Sequence, residues 1–305
     1  MAAQGTLWAV VGATGTGKSA LSLDLAEHLG SAEIVNADAM QFYRGMNIGT
    51  AKIPVEERRG ISHHLFDALS VTEEATVAWY QPTARELIQA KLAGGNDVIL
   101  VGGSGLYVSS VLYDFQFPPR DEALRQQLEL EYEASGVDPL MHRLQALAPR
   151  VAETVDARNP RRVIRALEVA LLGEDAQVQL PKAPELWHEK TRVIGVHTPR
   201  EVLVPRLDAR VVNMWRDGLI DEVRGLMGDG IEDGQTASRA IGYLQAIAQI
   251  RGTMAEAEAI EQTQVLTRRY ARRQVSWFKR YREIEWIAAP DLRLIDGIAE
   301  NEGRE

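Results

Sequence analysis

Gly12-Ala13-Thr14-Gly15-Thr16-Gly17-Lys18-Ser19 follows directly on the apolar run Leu7-Trp8-Ala9-Val10-Val11 and precedes Leu21, Leu25 and Leu29 at helical spacing. The run reads as a buried parallel strand and the spacing as a helix, so the glycine segment is the turn between them. It matches G-x-x-x-x-G-K-[ST] in the strand–turn–helix context that gives the pattern meaning. Phosphate oxygens there meet converging backbone N–H groups, which side chains at 12, 15 and 17 would obstruct. The positive end of the helix, the Lys18 charge and the Ser19 hydroxyl as a Mg²⁺ ligand complete the site. The loop from Gly12 to Ser19 is thus expected to hold a polyphosphate or diphosphate.

Outward from this loop the chain alternates. Glu33-Ile34-Val35-Asn36-Ala37-Asp38 reads as a second strand ending on an acid, and Thr83 to Leu92 as a helix. Asp97-Val98-Ile99-Leu100-Val101 reads as a third strand running into Gly102-Gly103-Ser104-Gly105. Such alternation predicts an α/β fold, a P-loop NTPase-like parallel sheet core with ligands at the carboxyl ends of its strands. After Phe117-Pro118-Pro119 the texture turns helical, over Glu122–Ala134, Pro139–Leu147 and Pro160–Leu172, and a strand returns at Thr191–Val196. The expected organisation is a first core part over 1–117, an all-helical insertion domain over 118–190, and a return to the core with a helical C-terminal region over 191–305. The polar tail 298–305 is expected to fray.

Composition narrows the function. At 45% hydrophobic and 25% charged residues the chain is an ordinary globular protein, neither disordered nor fibrous. The absence of cysteine removes disulfide scaffolds, thiolate zinc sites and cysteine nucleophiles. Val98 to Tyr113, an uncharged stretch of 16 residues, is too short and polar to span a bilayer, and the N-terminus has no basic leader, so a cytoplasmic protein is expected. The net charge is −9, yet two stretches hold no acid. Arg158 to Arg165 carries four Arg, and Arg268 to Arg282 carries six Arg and Lys279. These 11 positive charges in 23 residues leave −20 for the rest of the chain. Charge segregated in this way points to a polyanionic partner.

The third strand ends on Gly102-Gly103-Ser104-Gly105, where nucleotide-hydrolysing P-loop proteins usually place an acid for Mg²⁺ and water. Backbone donors and a hydroxyl suit a departing anion better than they activate water. Asp38 is open to three readings: a metal-positioning acid, a general base, or a turn cap. His63-His64 suggests a metal site, but adjacent side chains diverge on a strand and no further ligands stand at metal spacing, which favours a structural role.

These segments together resemble the bacterial tRNA dimethylallyltransferases (tRNA isopentenyltransferases), along nearly the whole chain. The likeness rests on the loop, on Asn36 to Met46 with Ile48 to Lys52, and on Gly102 to Tyr107. It continues through Asn159 to Glu168, Arg210 with Met214, Gly218-Leu219, Glu222-Val223, Ser238-Arg239-Ala240-Ile241-Gly242-Tyr243, and Arg272 to Trp277. It implies that the loop holds the diphosphate of dimethylallyl diphosphate and that the five-carbon group goes to N6 of the adenosine just 3′ of the tRNA anticodon. It further implies Asp38 as the base for an N6 proton, with Lys18, Ser104 and Arg210 stabilising the leaving diphosphate. A positioned base is worth about 10²–10⁴ in rate. As an exposed carboxylate of pKa about 3.9, Asp38 would be ionised at neutral pH.

The resemblance also gives the basic runs a use. It places Arg125, Arg161, Arg162, Val163, Ile164 and Arg165 in a tRNA-contacting insertion. Arg272, Arg273, Gln274 and Lys279 fall in a C-terminal tRNA-contacting helix. Asp38, Ala39, Met40, Gln41, Ser104 and Ser238–Tyr243 would surround an adenine extruded from the anticodon stem-loop. Trp277, Phe278 and Tyr281 are read as core. Ala13 stands where the family commonly has Pro, Ala39 where Ser is frequent, and Trp79 where Asp is common. A Mg²⁺-dependent monomer without an obligate protein partner follows. Two other readings stay open, a P-loop small-molecule or nucleotide kinase and a non-catalytic RNA-binding protein.

Overall fold

The computed structural model describes residues 5–115, 117–118, 120–173 and 184–288, so the expected fraying of 298–305 lies outside the described residues, as do parts of 118–190. Six strands form one wholly parallel sheet: β1 (Leu7–Gly12), β2 (Glu33–Asn36), β3 (His63–His64), β4 (Val98–Gly102), β5 (Thr191–His197) and β6 (Glu285–Ala288), in the order β3-β2-β4-β1-β5-β6. β1 lies between β4 and β5, with Val11 opposite both Gly102 and Gly195, and every residue of β1 and β4 is buried. That is why both strands read as continuous apolar runs instead of alternating ones.

Helices α1 (Lys18–Leu29), α2 (Val77–Ala93) and α3 (Gly105–Leu112) are the crossovers of the first part. Trp8, Val10, Ile34 and Ile99 pack with Leu21 and Leu25 of α1. α2 begins at Val77, earlier than the expected Thr83. The Thr76 side chain caps it by accepting the Trp79 N–H at 3.1 Å, and Pro82 is accommodated inside. Trp79 itself packs edge-on against Phe42, 5.5 Å away. Neither β3, of two residues, nor β6, an edge strand with three of its four residues exposed, is among the expected strands. His64 is held by Glu33 at 2.6 Å and His63 by the Ile61 carbonyl at 2.8 Å.

After β5 come α8 (Arg200–Arg216), α9 (Leu219–Gly228), α10 (Tyr243–Ile250) and α11 (Glu256–Phe278). α11 packs along α8 and reaches β1. Phe278 and Tyr281 are buried, and the Trp277 indole N–H donates to Ser109 at 3.0 Å.

Residues 114–185 form a second compact unit. Its helices are α4 (Glu122–Ser135), α5 (Asp138–Leu147), α6 (Pro149–Thr154) and α7 (Pro160–Leu171). Leu128, Leu140, Leu144, Val163, Ile164 and Leu167 make its core. Within it the fully buried Glu168 meets Arg165 at 2.9 Å and Arg125 at 3.5 Å, and accepts the Asp121 N–H at 3.0 Å. Among the described residues no helix is long and apolar enough to cross a membrane.

Gly102 lets the ends of β2 and β4 approach closely, since a Cβ there would stand 2.6 Å from the carbonyl carbon and oxygen of Ala37. Gly102→Ala is expected to cost about 1–3 kcal/mol, as for an extra methyl forced into a packed interior. Urea unfolding reads this as a lower midpoint, and an unchanged midpoint would contradict the close approach.

Candidate functional site

The loop between β1 and α1 takes its shape from its glycines. Gly15 and Gly17 have φ of +78° and +92°, and a Cβ on Gly15 would lie 2.7 Å from the Leu207 side chain. Around Gly17 there is open space, so the backbone conformation alone demands glycine there. Thr16 is buried and its hydroxyl donates to the Ala13 carbonyl at 2.9 Å. The Lys18 ammonium donates to the same carbonyl at 2.7 Å, and Arg210 of α8 donates to the Thr14 hydroxyl at 2.9 Å. The Arg210 Nε is buried without a hydrogen-bond partner. A buried charged donor left unpaired is costly, and an anion in the loop would relieve that cost.

The second strand ends two residues before Asp38. Asn36, buried, accepts the Asp38 N–H at 2.8 Å and donates to the Leu65 carbonyl at 3.0 Å, while the buried Tyr80 hydroxyl donates to the Asn36 carbonyl at 2.8 Å. Asp38 then starts a short 3₁₀ turn over Ala39–Phe42, and its Oδ1 accepts the Met40 N–H at 3.1 Å. The cap reading therefore holds for Oδ1, and among the described residues Oδ2 has no donor. Asp38 is half-buried, not the exposed carboxylate expected above. Burial raises its pKa against the Met40 N–H and the Lys18 and Arg210 charges, which lower it.

Two side-chain contacts, buried or partly buried, tie the site to α11. The Gln274 side chain accepts the Thr14 N–H at 2.8 Å and donates to the Gly103 carbonyl at 2.9 Å. The Ser104 hydroxyl accepts the Ala39 N–H at 3.3 Å and lies 3.4 Å from the Tyr270 hydroxyl. Burial, with the Asp38 charge behind it, pushes the Tyr270 pKa up to about 12.

Asp38, Thr14, Thr50 and Arg210 line two cavities at once. One, of about 240 Å³, contains the loop with Lys18 and Ser19, together with Gln41, His63 and Gly103. The other, of about 260 Å³, is lined by Met40, Met214, Ile241 and Tyr270, with the exposed Arg239 and Arg273 among its residues. Two anion- and base-sized spaces thus meet at one carboxylate.

The remaining sequence candidates divide. Ala240, Ile241 and Tyr243 belong to the second cavity, and the Ser238 hydroxyl donates to the Gly234 carbonyl at 2.6 Å. Gly242, with φ of +92°, precedes α10, and Ala39 packs in the interior. Arg161 and Arg162 are exposed, whereas the Val163 and Ile164 side chains go to the core because they fall on the apolar face of α7. Arg165 pairs with Glu168 one helical turn on, and Arg125 pairs with Glu129 at i+4 and with Glu168. Gln274 is likewise 3% exposed and spent on the bridge, not presented to solvent. Arg272 and Lys279 line a different cavity from Arg273. Asn36, Thr50 and Tyr270 were missed. Asn36 and Thr50 fall in stretches that carry the family likeness, and Asn36 also stands two residues before an acid at a strand end. Among the described residues no three His, Asp or Glu side chains cluster as a metal site.

A model described as IPP transferase matches residues 41–281. A tRNA dimethylallyltransferase of Clavibacter sepedonicus is 57% identical over 292 residues, covering 94% of this chain and 95% of that protein. Another, from Parafrankia sp., is 48% identical over 94% of this chain and 89% of its own length. A tRNA isopentenylpyrophosphate transferase structure from Bacillus halodurans is similar with a TM-score of 0.69 and 36% identity, covering 98% of this chain and 95% of its own. A eukaryotic dimethylallyltransferase acting on tRNA has a TM-score of 0.76 and 25% identity, over 98% and 77% of the two chains.

Burial, opposed in part by Asp38, lowers the Lys18 pKa to about 8, well under its unfolded value. A cation whose folded pKa is depressed destabilises the fold below about pH 8, and the penalty fades as pH rises toward its unfolded value. Lys18→Met is therefore expected to be more stable than the parent at pH 7 by about 1–3 kcal/mol, with the advantage gone near pH 10. Urea unfolding at both pH values checks this, and a variant less stable at pH 7 would refute it.

Proposed function

This chain belongs to the IPP transferase family, the tRNA dimethylallyltransferases, and from that premise we propose how its own residues carry the reaction. The enzyme transfers a dimethylallyl group from dimethylallyl diphosphate to N6 of an adenosine in tRNA, at the position 3′ of the anticodon. The carbon–oxygen bond of the donor breaks, a carbon–nitrogen bond forms at N6, an N6 proton leaves, and diphosphate departs. One observation carries the assignment: Asp38 stands where the loop cavity and the second cavity meet.

The diphosphate occupies the loop cavity, on the amides of Gly12 to Ser19, the Lys18 ammonium and the Arg210 guanidinium, whose Nε awaits an acceptor. Charge building on the departing oxygen is met by these donors, already fixed in place. Ser104 assists from the end of β4. The adenine enters the second cavity, where Arg239 and Arg273 suit the flanking RNA phosphates and Met40 and Tyr270 offer surfaces for the base. Its amine is conjugated with the ring and weakly nucleophilic, so accepting the N6 proton during attack restores the lone pair. Asp38 Oδ2 is the acceptor, and a raised pKa makes it a stronger base while Oδ1 stays anchored to Met40.

The donor set also fits Mg²⁺. Ser19 is exposed in the loop cavity, and the remaining ligands would be diphosphate oxygens and water, the usual arrangement for this ion. When bound, the ion neutralises charge on the diphosphate. A site complete within one chain supports a monomer, and a tRNA substrate supports a cytoplasmic enzyme.

With carbon-labelled dimethylallyl diphosphate, Mg²⁺ and unmodified tRNA, label should appear on N6 of the adenosine beside the anticodon. Asp38→Ala should lower kcat by about 10²–10⁴, the worth of a positioned base, with KM for the donor little changed. γ-Phosphoryl transfer from ATP to a small acceptor, with no label on tRNA, would instead make the protein a kinase.

A further inference from the structure

α11 presents cations to two different cavities. Arg273 serves the Asp38 cavity, with its guanidinium 5.9 Å from the Tyr270 ring. Arg269 and Arg272 line another, about 410 Å³ in volume, between α8 and α11 beside the carboxyl end of β5. Its floor is apolar, made by Leu203, Leu207, Ala271 and Val275, the same side chains that pack beneath Ala13 of the phosphate loop. Arg200 and Lys279 complete the cationic surround, and no carboxylate lines the space. Arg268 is already paired with Asp208 at 2.5 Å, but Arg200, Arg269, Arg272 and Lys279 have no ion-pair partner among the described residues. Thr198, 7% exposed, lines this cavity with a buried hydroxyl that has no hydrogen-bond partner.

We propose that this groove is a second nucleotide site, with the base on the apolar floor between α8 and α11 and the phosphate on the four cations and the Thr198 hydroxyl. A small inorganic anion would leave the floor unused, and an uncharged apolar ligand would leave the cations and the hydroxyl unpaired. A nucleotide satisfies all three features, because guanidinium planes stack on bases as well as binding phosphate. The space is in the range that encloses a small molecule. The nucleotide has two possible sources, a free nucleotide or a residue of the tRNA other than the acceptor adenosine.

The test titrates adenosine 5′-monophosphate into protein saturated with inorganic pyrophosphate, which occupies the phosphate loop, and measures tRNA affinity in parallel. Val204→Trp fills the groove without touching the Asp38 cavities, and the double variant Arg269→Gln/Arg272→Gln removes two cations. Binding of the monophosphate, weakened about tenfold or more by either change, supports the site with a free nucleotide as ligand. No binding of the monophosphate, but a similar loss of tRNA affinity in Val204→Trp, supports it with tRNA as the source. The proposal fails if Val204→Trp changes neither affinity, or if inorganic phosphate binds as tightly as the monophosphate. Dimethylallyl transfer by Val204→Trp at saturating substrates reports separately on the reaction, so failure of the groove leaves the assignment of the transferase site standing.

Discussion

The Gln274 amide ties together three parts of the chain, the phosphate loop, the end of β4 and α11. Its oxygen takes the N–H of Thr14 and its nitrogen gives to the carbonyl of Gly103, across 260 and 171 residues of sequence. Each of these backbone groups, left unpaired in the interior, would cost about 1–3 kcal/mol. The bridge therefore fixes the phosphate loop relative to the end of β4, and α11 relative to both. Ser104 and Tyr270 extend the same tie to the Ala39 N–H. The meeting of two cavities at Asp38 depends on this arrangement.

Electrostatics explains why such a site must be held rigidly. Lys18 and Arg210 are cations under a desolvation penalty, and Asp38 is an acid under the opposite one. Asp38 lessens the cost of both cations and they lessen its own, whereas Arg210 adds to the cost of Lys18, and among the described residues none of the three is neutralised by a short ion pair. The site is thus stored in an unfavourable charge state that a diphosphate and a developing positive centre would complete. That is the usual signature of donors arranged for a transition state more than for the empty fold.

Much of this was legible in the residues. The loop, β1, β4, β5 and the helical insertion follow from apolar runs, glycine punctuation and 3.6-residue spacing. β3 was not, because two residues carry too little period, and β6 was not, because it is an edge strand with three of its four residues exposed. The start of α2 was obscured by Pro82, whose cost is offset by the Thr76 cap and by packing. Within the site, Asp38 stood out as an acid at a strand end, but its half-burial did not, since desolvation is a property of neighbours distant in sequence. The acid-free run ending at Arg165 misled, because Glu168 lies one helical turn beyond it and pairs with it, and Arg125 is met by Glu129 as well as by Glu168. Tyr270 had no signal beyond its place in a basic helix.

The family fixes the reaction, and what this chain adds is the proposed division of labour around one carboxylate. The most direct measurement is a structure of the protein with tRNA and an unreactive thio analogue of dimethylallyl diphosphate. The account predicts the diphosphate on the amides of Gly12 to Ser19 with Lys18 and Arg210, and adenine N6 within hydrogen-bond reach of Asp38 Oδ2. A diphosphate lodged away from the loop, or an N6 facing some other group with Asp38 out of reach, would contradict it.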